Sequence, residues 1–366
     1  MGGRSILIIL GGVILLSTIV FYNISRVSVD MSANADATYL RQTGRNIAQT
    51  GVNLAVRQLL LNRTWRGGFS NKTMMGGKVS VSLRDTTFDG IPAVSVAAVS
   101  TVMTGTDYEV STNSTAFVRK RFQPPGLQGA LSSRNPIYIS GTYTIDGRNH
   151  TPGGALIADA TGVPAVWTTK TMTRTGNCFL GGTVGGVDYA PAKNLNAVLQ
   201  NQSWPGGYPG TPDSVLGGAA YGFPEGTLKQ MAQSGVGGSQ YTTNPATLAL
   251  PLKGITYVEL PNGAMWQYAN TQGTGIIVVH NAWGNARFWD HTLSSFTGLI
   301  IVDDFNTLKG SITGGAISLA ANPSSGQTGG EANGTLLYSR EVIEGLTQTL
   351  LDLQYSSDAN IIAWKE

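Results

Sequence analysis

Three runs decide how the larger part of this chain is read: Gly275-Ile-Ile-Val-Val-His280, Gly298-Leu-Ile-Ile-Val-Asp303 and Gly315-Ala-Ile-Ser-Leu-Ala320. Each is a glycine followed by a short, almost wholly apolar, β-branched stretch. A run that shows no polar alternation is buried on both faces. Shorter β-prone pieces, Ala286-Arg-Phe-Trp-Asp290 and Leu308-Lys-Gly-Ser-Ile312, sit between them. Recurrence at about twenty residues predicts stacked rungs of a parallel β-helix-like solenoid, each rung burying its apolar side chains on the next. The alternative arrangement is an antiparallel β-sandwich.

Working outward, Ser140-Gly-Thr-Tyr-Thr-Ile-Asp-Gly147 reads as an early rung. Residues 160–250 read as an irregular insertion rich in Gly and Pro, with a short helix at about 225–232. The segment 339–352 has an amphipathic helical pattern, with Ser339 as N-cap and Glu341 and Glu344 near its positive end. It is expected to cap an open end of the solenoid. Ile361-Ile-Ala-Trp364 closes the sequence reading as a strand. The solenoid domain is assigned to 123–366, after the linker Gln123-Pro-Pro-Gly126.

Upstream, residues 62–122 alternate with period two in Val79-Ser-Val-Ser-Leu83 and continue in strand-like runs at 93–103 and 108–118. Turn signals lie at Asp89-Gly90 and Thr104–Asp107, so a small antiparallel β meander is expected. The Arg119-Lys-Arg121 cluster reads as a solvated strand end.

Residues 1–61 predict one long helix, an anchor followed by a stalk. No charge falls between Arg4 and Arg26. At 1.5 Å per residue that run covers a hydrocarbon core of ~30 Å. The anchor residues are Ile6, Leu7, Ile8, Ile9, Leu10, Val13, Ile14, Leu15, Leu16, Ile19, Val20 and Phe21. A cleaved signal is the alternative, but it calls for a shorter apolar region and a small-residue cleavage site. Beyond the span, Ala33, Ala37, Leu40, Gly44, Ile47, Gly51, Leu54 and Leu61 follow a seven-residue repeat. Small residues on one stripe let another backbone come close. The expectation is packing on neighbouring helices, blocked by Gly44→Leu or Gly51→Leu without harm to the β domain.

Together these pieces resemble the type IV pilus minor pilins and related PilX-like assembly proteins. The resemblance is carried by the span, by Ile47-Ala-Gln-Thr-Gly-Val-Asn-Leu-Ala-Val-Arg57, by the strands of 275–318, by Leu337-Tyr-Ser-Arg-Glu341 and by Trp364-Lys-Glu366. It implies a structural subunit of the cell envelope, anchored in the bacterial inner membrane with an exported domain or assembled into an extracellular filament. Its implied partners are other pilin-like subunits and the pilus assembly machinery. The pattern departs from the family at the leader: Arg4 follows Gly2-Gly3, Ile8 stands where the family has Glu, and the first Glu is Glu109.

Composition agrees with an exported β-rich protein. Of 366 residues, 48 are Gly, and only 12% are charged, against about 25% in ordinary soluble domains. A single cysteine, Cys178, excludes a disulfide scaffold, and a net charge of +3 gives no footprint for nucleic acid. The three histidines, His150, His280 and His291, have no metal-ligand spacing, and no nucleotide-loop or nucleophile-elbow motif occurs. No cofactor or metal is expected, and no enzymatic activity. The one enzymatic alternative is a β-helix polysaccharide hydrolase or lyase using Asp303 and Asp304, with Arg287, Asp290 and His291 nearby. A third reading is a surface adhesin that binds a glycan or a partner protein, gripping it through Trp204, Tyr208, Tyr221 and Tyr241.

Overall fold

The computed structural model describes residues 3–62, 65–89, 91–120, 122–204, 206–267, 270–289, 291–305, 308–321, 328–354 and 361–365. It is an α+β chain that divides into two compact units. The first holds residues 1–86, 93–118 and 361–366, and the second holds 87–92 and 119–360. The long N-terminal helix and the meander therefore belong to one unit, and 361–365 joins it instead of the parallel-stranded remainder.

In the first unit, helix α1 runs unbroken over Gly3–Leu61, 59 residues, or about 88 Å. No proline interrupts it. It is long and apolar enough to cross a bilayer, and residues 8–31 are exposed throughout. Further along, Gly44, Ile47, Ala48, Gly51, Val52, Ala55, Val56 and Leu59 are buried. This stripe has the true helical period. It packs on a five-stranded sheet ordered β1 (Phe69–Met74), β2 (Gly77–Phe88), β3 (Ile91–Val102), β4 (Val110–Arg119) and the returning strand Ile361–Lys365. Both outer pairs, β1 with β2 and β4 with the returning strand, are antiparallel. Gly90, in the expected turn between β2 and β3, lies outside the described residues.

The buried stripe corrects the seven-residue one. A strict heptad drifts about 20° per repeat from a straight helix, so its later members rotate off the sheet. Leu54 is 38% exposed and Leu61 77%. Ala33 is exposed as well, and Ala37 and Leu40 are half-buried. Gly44, Ile47 and Gly51 face their own sheet. Ser100 donates to the Gly44 carbonyl at 2.7 Å, and a Cβ on Gly51 would lie 2.7 Å from a Val79 methyl. Gly51→Leu is accordingly expected to destabilise the first unit itself by about 2 kcal/mol through overpacking. Denaturant unfolding followed through this unit's tryptophans checks it; an unchanged midpoint would remove the close helix–sheet contact.

The second unit is built on a parallel ladder. Its strands pair in the order 240–242, 255–259, 270–280, 291–302, 308–318, 328–338, 137–146 and 177–184, with an antiparallel hairpin strand, 187–192, at the far edge. The ladder pairs are parallel, which sets aside the antiparallel sandwich. The register stacks like on like: Ile277 beside Ile300 beside Ala316, and Val279 beside Val302. Each of these isoleucines and valines, fully buried, contributes about 1.5–3 kcal/mol. A second parallel set, 265–267, 287–289 and 304–305, aligns Trp266, Phe288 and Phe305. Their rings meet edge to face at 5.5 and 6.1 Å, a favoured aromatic geometry.

Glycines form a column through the ladder. Gly275 pairs with Gly298 and Gly298 with Gly314. The third member is thus Gly314, one residue before the glycine that opens the third apolar run. At Gly314 φ is +143°, and an added Cβ would collide with the Gly298 carbonyl oxygen.

Two further expectations change. Residues 166–168, 172–174 and 177–184 are strands of the ladder and its flank, so the irregular stretch begins near 200 and not at 160. The helix expected to cap an open end, observed over Arg340–Gln354, lies instead on the mid-ladder strands 291–302 and 308–318. Its Ser339 hydroxyl does accept from the Val342 amide at 3.3 Å, as an N-cap should.

Candidate functional site

The C-terminal ends of two neighbouring ladder strands create the most elaborated polar site. Because Val279 sits beside Val302, the next residues, His280 and Asp303, are also side by side. His280 Nδ1 and Asp303 Oδ1 are 2.6 Å apart. Asp303 is completely buried, and its other oxygen accepts from the amides of Asn281 at 3.1 Å and Ala286 at 3.0 Å. Its carbonyl accepts from the Ser318 hydroxyl and the Ala320 amide. A buried carboxylate that receives this many donors is satisfied in place. It fixes the turn 281–286 and orients the imidazole.

Asp304 is buried too, 1% exposed, and its amide donates to the Ala286 carbonyl. The two carboxylates therefore point into the protein and do not flank a groove in which a glycosidic bond could lie. Arg287 turns its guanidinium to the Gly263 carbonyl. Asp290 lies outside the described residues, as does the side chain of His291.

His280 opens on a cleft of about 660 Å³. Arg134, Thr211, Glu225 and Trp283 are among the residues that line it. Thr211 donates to Glu225 at 2.7 Å. Trp283 is 64% exposed and stands on a locked turn. The Asn281 side-chain oxygen accepts from the Trp283 and Asn285 amides, and its nitrogen donates to the Pro261 carbonyl. Behind the cleft, Asp213 accepts from the amides of Gly226 and Leu228, closing the N-terminus of helix Thr227–Ser234. Burial pushes the Asp213 carboxyl up to about 6, against those two bonds.

The four aromatics singled out for gripping a ligand are half-buried and make contacts within the protein. Trp204 packs edge-on against Trp167 at 5.0 Å, and the Tyr208 hydroxyl donates to the Ser318 carbonyl at 3.0 Å. Tyr221 lies 4.9 Å from the Phe122 ring, and the Tyr241 hydroxyl donates to Glu259. Among the anchor residues, Ile8, Ile9, Leu10, Val13, Ile14, Leu15, Leu16, Ile19, Val20 and Phe21 are all exposed along α1. Ile6 and Leu7 fall on the helix, but their side chains lie outside the described residues. Cys178 is buried, and desolvation pushes its thiol up to about 11, against the pull of Arg174.

A second titratable cluster lies where strand 137–146 ends. Asp146 meets the Arg148 guanidinium at 2.6 Å and His150 Nε2 at 3.5 Å, while His150 Nδ1 lies 2.7 Å from the Arg148 carbonyl. Burial favours the neutral form of both Asp146 and His150. Their mutual hydrogen bond and the Arg148 contacts outweigh it, so Asp146 is lowered and His150 raised. The signs fix a pH window. A lowered acid stabilises above its unfolded pKa, and that contribution disappears as pH falls through the folded value. A raised histidine stabilises below its unfolded pKa and loses the effect as pH rises through the folded value. Both contributions are present together between roughly pH 4 and 6.5. His150→Ala is expected to cost about 1–3 kcal/mol at pH 5.5 and less at pH 9. Unfolding of parent and variant at the two pH values checks it, and equal losses would dissolve the ion pair.

Among the described residues no group of three or more His, Cys, Asp or Glu is placed to hold a metal ion. Comparison of the chain with protein families, with characterised proteins and with solved structures finds no match.

Proposed function

We propose that the chain is a structural, pilin-like subunit of the bacterial cell envelope. It inserts the free part of α1 into the inner membrane, or among the helices of a filament, and displays its β-rich units outside the cytoplasm. The carrying observation is the continuity of α1: residues 8–25 are uncharged, mostly apolar and exposed, while the buried stripe of residues 44–59 of the same helix packs on a sheet. An apolar helix surface of that length is costly in water and calls for lipid or other helices around it. We read the parallel ladder with its flanking parallel set as a β-helix, a rigid body suited to display. The subunit works by assembly, with other pilin-like subunits and the assembly machinery as partners, and performs no turnover.

The test is fractionation of cells that express the full chain. The protein should be recovered in sheared surface filaments or in the inner-membrane fraction, with its β-rich part open to external protease in the first case. Recovery as a freely soluble cytoplasmic protein would refute the reading. Reproducible cleavage of a polysaccharide panel, abolished by Asp303→Asn, would replace it with the hydrolase.

A further inference from the structure

The cleft beside His280 has the chemistry of a sugar site. A pyranose ring offers a flat C–H face and a rim of hydroxyls, each both donor and acceptor. Its recognition asks for an exposed, rigid aromatic plane and a few fixed polar groups around it. Trp283 supplies the plane. Two backbone amides held by Asn281 fix its turn, so little conformational freedom is lost on binding. Arg134 brings donors alone, and Glu225 brings acceptors, one of them already receiving the Thr211 hydroxyl. Asp303 commits His280 Nδ1, which leaves Nε2 as the ring's remaining polar atom.

The charges favour an uncharged ligand. Arg134 and Glu225 oppose one another, and Arg134 is the one Lys or Arg among the described lining residues, too few for a phosphate chain. A peptide would need apolar side-chain pockets, and Trp283 is the one large exposed apolar lining residue. The volume of about 660 Å³ accommodates one or two sugar rings.

We propose that this cleft binds a pyranose unit of a neutral glycan, its C–H face on Trp283 and its hydroxyls shared among Arg134, Glu225 and His280. The site lies wholly within the second unit, so it stands independently of the filament reading.

The experiment uses the full chain in a zwitterionic detergent, since glycoside detergents would compete. It is titrated calorimetrically with hexasaccharides of glucose, mannose, N-acetylglucosamine and galacturonate. At least one neutral hexasaccharide should bind with a Kd below about 1 mM. Trp283→Ala should weaken it at least about tenfold, as loss of a tryptophan anchor does. Glu225→Gln, at an exposed position that leaves folding intact, should weaken it severalfold, and Tyr108→Ala, in the other unit, should change nothing. No binding by any neutral hexasaccharide would overturn the proposal. So would binding of galacturonate alone, or affinity unchanged in both Trp283→Ala and Glu225→Gln.

Discussion

Replacing Gly314 with valine is expected to unfold the parallel ladder at far lower denaturant than the parent requires. Any side chain there must adopt a φ of +143° with its Cβ driven into the Gly298 carbonyl of the neighbouring strand. That oxygen is backbone in a paired strand and cannot swing aside. Strain of this kind, added to a clash with main chain, costs about 3–5 kcal/mol. A typical domain has about 5–15 kcal/mol in total. The matched control is Gly345→Ala. Gly345 sits within the helix Arg340–Gln354, and an added Cβ there meets nothing within 4 Å. The alanine is expected to stabilise by about 0.5–1 kcal/mol. Chemical unfolding of the three proteins side by side decides the matter. Equal midpoints for Gly314→Val and the parent would mean that the glycines do not stack.

Deleting residues 1–25 is expected to move the protein from the membrane pellet to the supernatant with both units folded. The removed residues from Ile8 onward touch no core, and the buried stripe of α1 begins only at Gly44. Apolar side chains near the middle of a membrane helix each contribute about 0.3–0.6 kcal/mol to insertion. The ten anchor residues with described side chains therefore supply several kcal/mol. Full-length chain should resist carbonate extraction, while the shortened chain should stay soluble with the unfolding transition of the parent. A folded, shortened chain that still sediments with membranes would defeat the anchor assignment.

Much of this architecture is legible in the residues. The uncharged run 5–25 and the absence of proline up to Leu61 specify α1. Spacing of 23 residues separates Gly275 from Gly298, its partner on the neighbouring parallel strand. The same spacing places His280 beside Asp303, a pairing that the immediate sequence neighbours of neither residue reveal. The strand at 177–184, Asn-Cys-Phe-Leu-Gly-Gly-Thr-Val, is hidden because a short strand buried on both faces shows no alternation, and its glycines imitate a loop. The aromatics of the 200–250 stretch were indistinguishable by type from Trp283. Only packing separates a ring wedged against Trp167 from one standing in solvent.

The order of the ladder has a consequence for how the polypeptide comes into being. Strand 137–146 is laid against 328–338, and Thr142 bonds to Asn333 across 191 residues of sequence. Likewise β4 receives its outer neighbour from 361–365. A chain emerging from the ribosome or a translocation pore presents both edges long before the segments that cover them exist. Such distant pairings form slowly, and bare strand edges recruit one another in the meantime. Folding of both sheets is then gated by the arrival of strands 328–338 and 361–365. A ribosome stalled near residue 320 would leave behind a sticky, half-made molecule, even though the interrupted chain already contains most of the apolar core.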